Sequence, residues 1–143
     1  MPRLKKILVV DDEAGIRNLL FDVLSSKGFK VTLAKDGKDS LKQMRNRHFD
    51  LLITDINMPR LDGIELLRRM KRADRKERVI IMTGDPFDKK ELDKDIPHVF
   101  SQLRKPFHMN KFLEVVSTAL ASRTRKRREF GPGVKSKKAI HAV

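Results

Sequence analysis

Two kinds of apolar pattern take turns along the chain. Residues 7–10 (Ile-Leu-Val-Val) form a short unbroken apolar run, the pattern of a strand buried on both faces. The run stops at Asp11-Asp12-Glu13. Ile16, Leu19, Leu20, Val23 and Leu24 then recur at helical spacing and predict one inward face, closed by Lys27-Gly28. Residues 29–33 alternate apolar and polar, as a half-buried strand does. A helix over 38–46 is predicted to turn Leu41 and Met44 inward. Residues 51–53 are a second unbroken run, in a central strand predicted over 51–54. Asp62-Gly63 opens a helix with Ile64, Leu67 and Met70 inward and Arg68, Arg69, Lys71 and Arg72 outward. Residues 79–82 are a third unbroken run, ending at Thr83. A helix over 88–95 has only Leu92 and Ile96 to bury before Pro97. Residues 98–103 predict a mixed strand. Residues 110–121 predict a last helix burying Phe112, Leu113, Val116 and Leu120.

Strands alternating with helices imply an α/β fold, a parallel sheet covered on both faces. The first, third and fourth strands are apolar throughout and belong in the centre. The second and fifth alternate and belong at the edges. Right-handed crossovers then give strand order 2-1-3-4-5, a three-layer, doubly wound, flavodoxin-like arrangement of five β-α units. In such a sheet all strand carboxyl ends lie on one side, and ligands bind there.

That edge collects the chemistry. Asp11 and Asp12 follow the first strand, Asp55 the third, Thr83 the fourth and Lys105 the fifth. Carboxylates about 4 Å apart repel by roughly 4 kcal/mol per pair at an effective dielectric near 20. Such a set raises its own pKa values or takes a cation. Oxygen donors without His or Cys suit Mg²⁺, and a lysine beside them suits phosphate. The set therefore reads as metal-assisted phosphoryl chemistry with a carboxylate as candidate nucleophile. Asp36, Asp50 and Asp62 read instead as turn and helix-capping residues. His48, His98, His108 and His141 lack metal-ligand spacing, and Met44, Met58, Met70 and Met82 read as core.

Composition adds limits. The chain has 143 residues, enough for one domain with a real core. No apolar run is long enough for a membrane span or a signal-peptide core, so a cytoplasmic location is expected. The absence of cysteine excludes disulfides and thiolate metal sites. The net charge of +14 is uneven: residues 123–143 hold eight Lys/Arg against one Glu, while residues 1–122 hold 25 against 18. The expected organisation is a domain over 1–122 and a basic tail or linker over 123–143. Such a tail is either a solvated disordered end or a weak contact for nucleic acid or an anionic surface.

Taken together, Val9-Val10-Asp11-Asp12-Glu13, Asp50 through Pro59, Asp62-Gly63, Met82-Thr83-Gly84 and Lys105-Pro106-Phe107 make the chain resemble the receiver domain of two-component response regulators, the family of the chemotaxis regulators. The resemblance covers roughly residues 4–121. It implies a phosphoacceptor rather than an enzyme acting on external substrates, with only its own phosphotransfer and dephosphorylation to catalyse. Asp55 would take the phosphoryl group from a sensor histidine kinase or phosphotransfer protein. Asp12 and Asp55 would ligate Mg²⁺, Asp11 largely through water and Asn57 by its backbone carbonyl. Lys105 would pair with the phosphate and Thr83 hydrogen-bond it. The peptide bond between Lys105 and Pro106 is expected to be cis. The family usually carries an aromatic residue three positions before the lysine. Here that position is Gln102, and Phe100 is placed on the same strand face by alternation. The expected result is intact acceptor chemistry with an altered switch at Thr83, Gln102 and Phe100. About twenty residues follow the receiver, which suggests a single-domain regulator signalling to a downstream protein effector. The alternative is a phosphorylation-independent interaction module or a nucleic-acid binder using the tail.

Overall fold

The structure is a computed structural model in which residues 3–58, 61–85 and 99–122 are described. The elements are β1 (Lys6–Val10), α1 (Ala14–Ser26), β2 (Lys30–Ala34), α2 (Gly37–Met44), β3 (Leu51–Asp55), α3 (Gly63–Arg72), β4 (Arg78–Thr83), β5 (Val99–Arg104) and α4 (Met109–Ser122). The helix expected over 88–95 and the tail over 123–143 lie outside the described residues. The chain divides into two compact units, one reaching to Lys105 and one beginning at Pro106.

The five strands form one parallel sheet in the order β2-β1-β3-β4-β5, as the apolar pattern predicts. β3 is buried along its whole length, β1 and β4 are buried beyond their first residue, and β2 and β5 are half-buried edges. The chain crosses from β1 through α1 outward to β2, then returns through α2 to β3. Right-handed crossovers in opposite directions put α1 on one face and α2 and α3 on the other. On the α2/α3 face, Leu8, Leu52 and Ile81 pack with Met44, Leu66 and Leu67 in one cluster.

Local signals set the helix ends. The Asp36 carboxylate accepts from Asp39 N–H at 2.8 Å, and the Asp62 carboxylate from Glu65 N–H at 2.9 Å, as capping residues do. Gly28 ends α1 at φ +92°, a left-handed conformation that needs glycine. Asp50 departs from the expected capping role. It accepts from Lys6 N–H at 2.8 Å and pairs with Arg3, tying β1 to the entry of β3.

Leu19 is a second departure: it stays 48% exposed, while Leu20 and Leu24 are buried. Each helical residue turns 100°, so Leu19 lies about 120° from the line midway between those two and outside the buried stripe. The four methionines read as core are all buried. His48 and His108 are exposed, and His98 and His141 lie outside the described residues.

In the second unit, α4 buries Phe112, Val116 and Leu120, and the Phe107 and Phe112 rings stack at 5.6 Å. Leu113 is half-buried.

Candidate functional site

Strand register builds the site. β1 and β3 are neighbours, with Val10 opposite Thr54, so Asp11 and Asp55 emerge side by side. Asp55 is opposite Met82, which puts Thr83 one step beyond the end of β3. Thr83 is opposite Arg104, and Lys105 N–H donates to the Thr83 carbonyl at 2.8 Å. The fold thus delivers one residue or pair from each of four strands to one edge.

Asp11 and Asp55 are buried, and Asp12 is exposed. One carboxylate oxygen from each lies within 4.8 Å of the other two. Lys105 Nζ bridges the buried pair, donating to Asp55 Oδ2 at 3.2 Å and to Asp11 Oδ2 at 3.3 Å. The other oxygens are held by backbone: Asp11 Oδ1 accepts from Glu13 N–H at 2.9 Å and Asp55 Oδ1 from Ile56 N–H at 2.8 Å.

Burial pushes the Asp11 carboxyl above its usual range. The Glu13 N–H and Lys105 pull it back, and the Asp55 charge raises it further. Burial also works against the Lys105 ammonium, but Asp11 and Asp55 outweigh it and hold its pKa above the ordinary value. Lys105 therefore remains a cation, fixed between two carboxylates.

Three carboxylates facing one ammonium leave about two negative charges uncompensated in this cluster. Hard oxygen donors with that surplus fit a divalent cation such as Mg²⁺. Asp11, Asp12 and Asp55 are the residues that would hold it.

The Thr83 side chain is buried and engaged within its own loop. Its hydroxyl donates to the Asp85 carbonyl at 3.2 Å and accepts from Asp85 N–H at 3.1 Å. Asn57 lies two residues beyond Asp55, with its side chain exposed.

A family model of the response regulator receiver domain matches residues 7–117. The chain belongs to the response regulator receiver family. Among its relatives is the sporulation initiation phosphotransferase F of Bacillus subtilis, 36% identical over 117 residues, spanning 81% of this chain and 94% of that one. The response regulator receiver protein CpdR of Brucella abortus is 32% identical over 117 residues, spanning 82% and 98%. The solved structure of the Thermotoga maritima response regulator TrrA in complex with Mg²⁺-BeF superposes with a TM-score of 0.70 at 30% identity, spanning 82% of this chain and all of that one. Receiver domains serve two-component signalling as phosphoacceptors, bind Mg²⁺ at an acidic pocket, and work with histidine kinases and downstream effectors.

One feature of β5 departs from what alternation suggests. The β4–β5 register shifts between Val79 and Ile80, which face Val99 and Ser101. Phe100 is the extra residue of that bulge, so alternation does not carry from Gln102 back to it. The Arg78 guanidinium lies 5.1 Å from the centre of the Phe100 ring. Gln102 is half-buried and faces Ile81 in the register.

Other contributors to the site carry no chemical signature in the sequence. Arg17 reaches back from α1 and donates to the Asp11 carbonyl at 2.8 Å. Gly63 N–H donates to the Ile56 carbonyl at 2.9 Å. A Cβ on Gly63 would lie 2.5 Å from the Asp55 carbonyl oxygen, and one on Gly37 would lie 2.3 Å from the Leu61 carbonyl oxygen. The start of α3 therefore rests directly on the backbone of Asp55 and Ile56. The Asp62-Gly63 pair was the available signal for this contact, although it reads first as a helix start.

Proposed function

We propose that this receiver accepts a phosphoryl group on Asp55, from the phosphohistidine of a sensor kinase or phosphotransfer protein, in a Mg²⁺-dependent reaction. The observation that carries the reading is the bridge from Lys105 Nζ to Asp55 Oδ2 and Asp11 Oδ2 inside a cluster with excess negative charge. In the transfer, a carboxylate oxygen of Asp55 forms a bond to phosphorus as the donor's N–P bond breaks. Held by Asp11, Asp12 and Asp55, with the Asn57 carbonyl as a further donor, Mg²⁺ would offset charge on the phosphoryl oxygens. Lys105 exchanges its carboxylate partner for a phosphoryl oxygen. Thr83 gives up its bond to the Asp85 carbonyl and donates to the phosphate instead. The same groups then support hydrolysis of the acyl phosphate.

The output is a phosphorylation-dependent contact with a downstream protein. Residues 1–122 act as the receiver and 123–143 as an accessory segment. Gln102 makes the switch atypical, because a polar side chain stands where the family usually has an aromatic one. Binding of Mg²⁺ and a beryllofluoride phosphate mimic is expected to shift the Thr83 amide resonance strongly and those of Phe100 and Gln102 little. Equal shifts at all three would refute the altered switch.

Incubation with Mg²⁺ and labelled acetyl phosphate tests the acceptor. Wild type should take up an acid-stable, hydroxylamine-sensitive label, and Asp55→Asn should take up none. A wild type that stays unlabelled by small donors and by kinases overturns the reading.

A further inference from the structure

The helices of the first unit differ in charge. α1 holds Arg17 and Asp22, which cancel. Residues 35–47, around α2, hold five Lys/Arg against two Asp. Residues 63–78, around α3, hold seven against three acidic residues. α2 and α3 touch each other and cover the same sheet face, so their charges form one surface.

The cations on that surface are ordered. Lys38, Lys42 and Arg45 recur at i, i+4 and i+7 and make one exposed stripe. Arg68, Lys71 and Arg72 make a second exposed stripe on α3. Side chains four apart on a helix stand about 6 Å apart along its axis. Cations repeated at that interval present a positive array to a phosphate backbone. The acid within α3, Glu65, is already matched: Arg69 and Arg72 bind it at 3.2 and 3.1 Å and hold its pKa below the usual carboxylate range. The α2 acid Asp39 accepts from Lys35 N–H at 3.0 Å.

The surface lacks what a protein partner would need. Among the described residues, the exposed large apolar side chains are Leu4, Leu19 and Phe21, and none lies on α2 or α3. Protein interfaces draw their energy from buried aromatic and apolar anchors. A phosphate backbone needs only a dense array of cations, and arginine forks suit it well.

We propose that the joint outer surface of α2 and α3 is a sequence-independent docking face for the phosphate backbone of duplex DNA. It is separate from the acidic site and does not depend on phosphorylation there.

The test uses the full chain and a short labelled duplex of arbitrary sequence, with affinity measured between about 50 and 200 mM salt. One variant reverses three exposed cations: Lys42→Glu, Arg68→Glu and Lys71→Glu. A milder variant carries Gln at the same positions. A third replaces Arg125, Lys126, Arg127 and Arg128 by Ala. Circular dichroism checks that each is folded. Wild type should bind with a steep salt dependence. The reversal variant should lose at least about tenfold in affinity and show a salt slope shallower by about 2–3, with a smaller loss for the Gln variant. That result upholds the proposal whatever the tail variant does. No duplex binding by wild type, or helix variants within about twofold of it, overturns the proposal. Tighter binding to phosphatidylserine vesicles than to duplex, lost in the same variants, also overturns it, because the face would then be a lipid surface.

Discussion

A pair of buried carboxylates stands beside the central strands at each edge of the sheet, and the two pairs are surrounded differently. At the amino edge, Asp50 precedes β3 and Glu77 precedes β4. Asp50 accepts from Lys6 N–H and from Arg3 at 3.2 and 3.3 Å. Glu77 accepts from Phe49 N–H at 3.1 Å and from Nε and Nη2 of Arg75, which also donates to the carbonyls of Met44 and Arg47. At the carboxyl edge, Asp11 and Asp55 share one lysine and face a third carboxylate, Asp12. Both pairs are buried, so burial does not separate structure from function. The completeness of each charge's partner set does. A buried carboxylate with its own cation and amide stabilises the fold, whereas carboxylates outnumbering their cation hold a ligand site at a cost to stability.

The sharpest break between the edges is chemical. Asp55→Asn should abolish the acyl-phosphate label, while Glu77→Gln should leave labelling per folded molecule unchanged. The next is the cost of disrupting the amino edge. Glu77→Ala leaves Arg75 and Phe49 N–H without their acceptor, and chemical denaturation should register a loss of about 2–4 kcal/mol. Gly63→Ala probes the backbone support of Asp55. Its Cβ would meet the backbone of Asp55 and Ile56, so a loss of about 1–3 kcal/mol is expected, together with weaker labelling.

Asp11→Asn should act in the opposite direction. Burial disfavours its charged form, so without added cation the neutral amide should raise the thermal midpoint while weakening Mg²⁺-dependent labelling. A lowered midpoint without cation would break the contrast between the edges. The smallest effect is the pH dependence of Asp50. Burial works against its charge, but the Lys6 amide and Arg3 outweigh it and depress the pKa. Its stabilising contribution is complete above the ordinary carboxylate pKa near 4 and disappears as pH falls through the lower folded value. The stability gap between wild type and Asp50→Asn should therefore be flat at neutral pH and shrink in acid. Because Arg3 is largely exposed, solvent screening keeps that gap small.

Much of the carboxyl edge was legible in the sequence. Unbroken apolar runs identify the central strands, and position at a strand's end places Asp11, Asp55, Thr83 and Lys105 together without any pairwise detail. The amino edge was not legible. The partner of Asp50 lies 47 residues away, and Arg75 reaches back 31 residues to Met44. Nothing in periodicity encodes such pairings. The bulge at Phe100 was hidden for a related reason: one unpaired residue reverses alternation, yet the composition of the strand still reads as regular. Leu19 misled because five apolar residues span a wider arc than the stripe α1 buries.

The contact at Gly63 has a mechanical consequence. Between the end of β3 and Gly63 there is no room to insert a side chain: a Cβ would meet the Asp55 carbonyl oxygen and the backbone and side chain of Ile56. Backbone meets backbone at this joint, so a substitution at Gly63 would have to move the start of α3 away from β3. α3 is also the helix that carries the arginine stripe. The start of α3 is therefore tied to the backbone at the end of β3, while the exposed cations of that helix lie further along it.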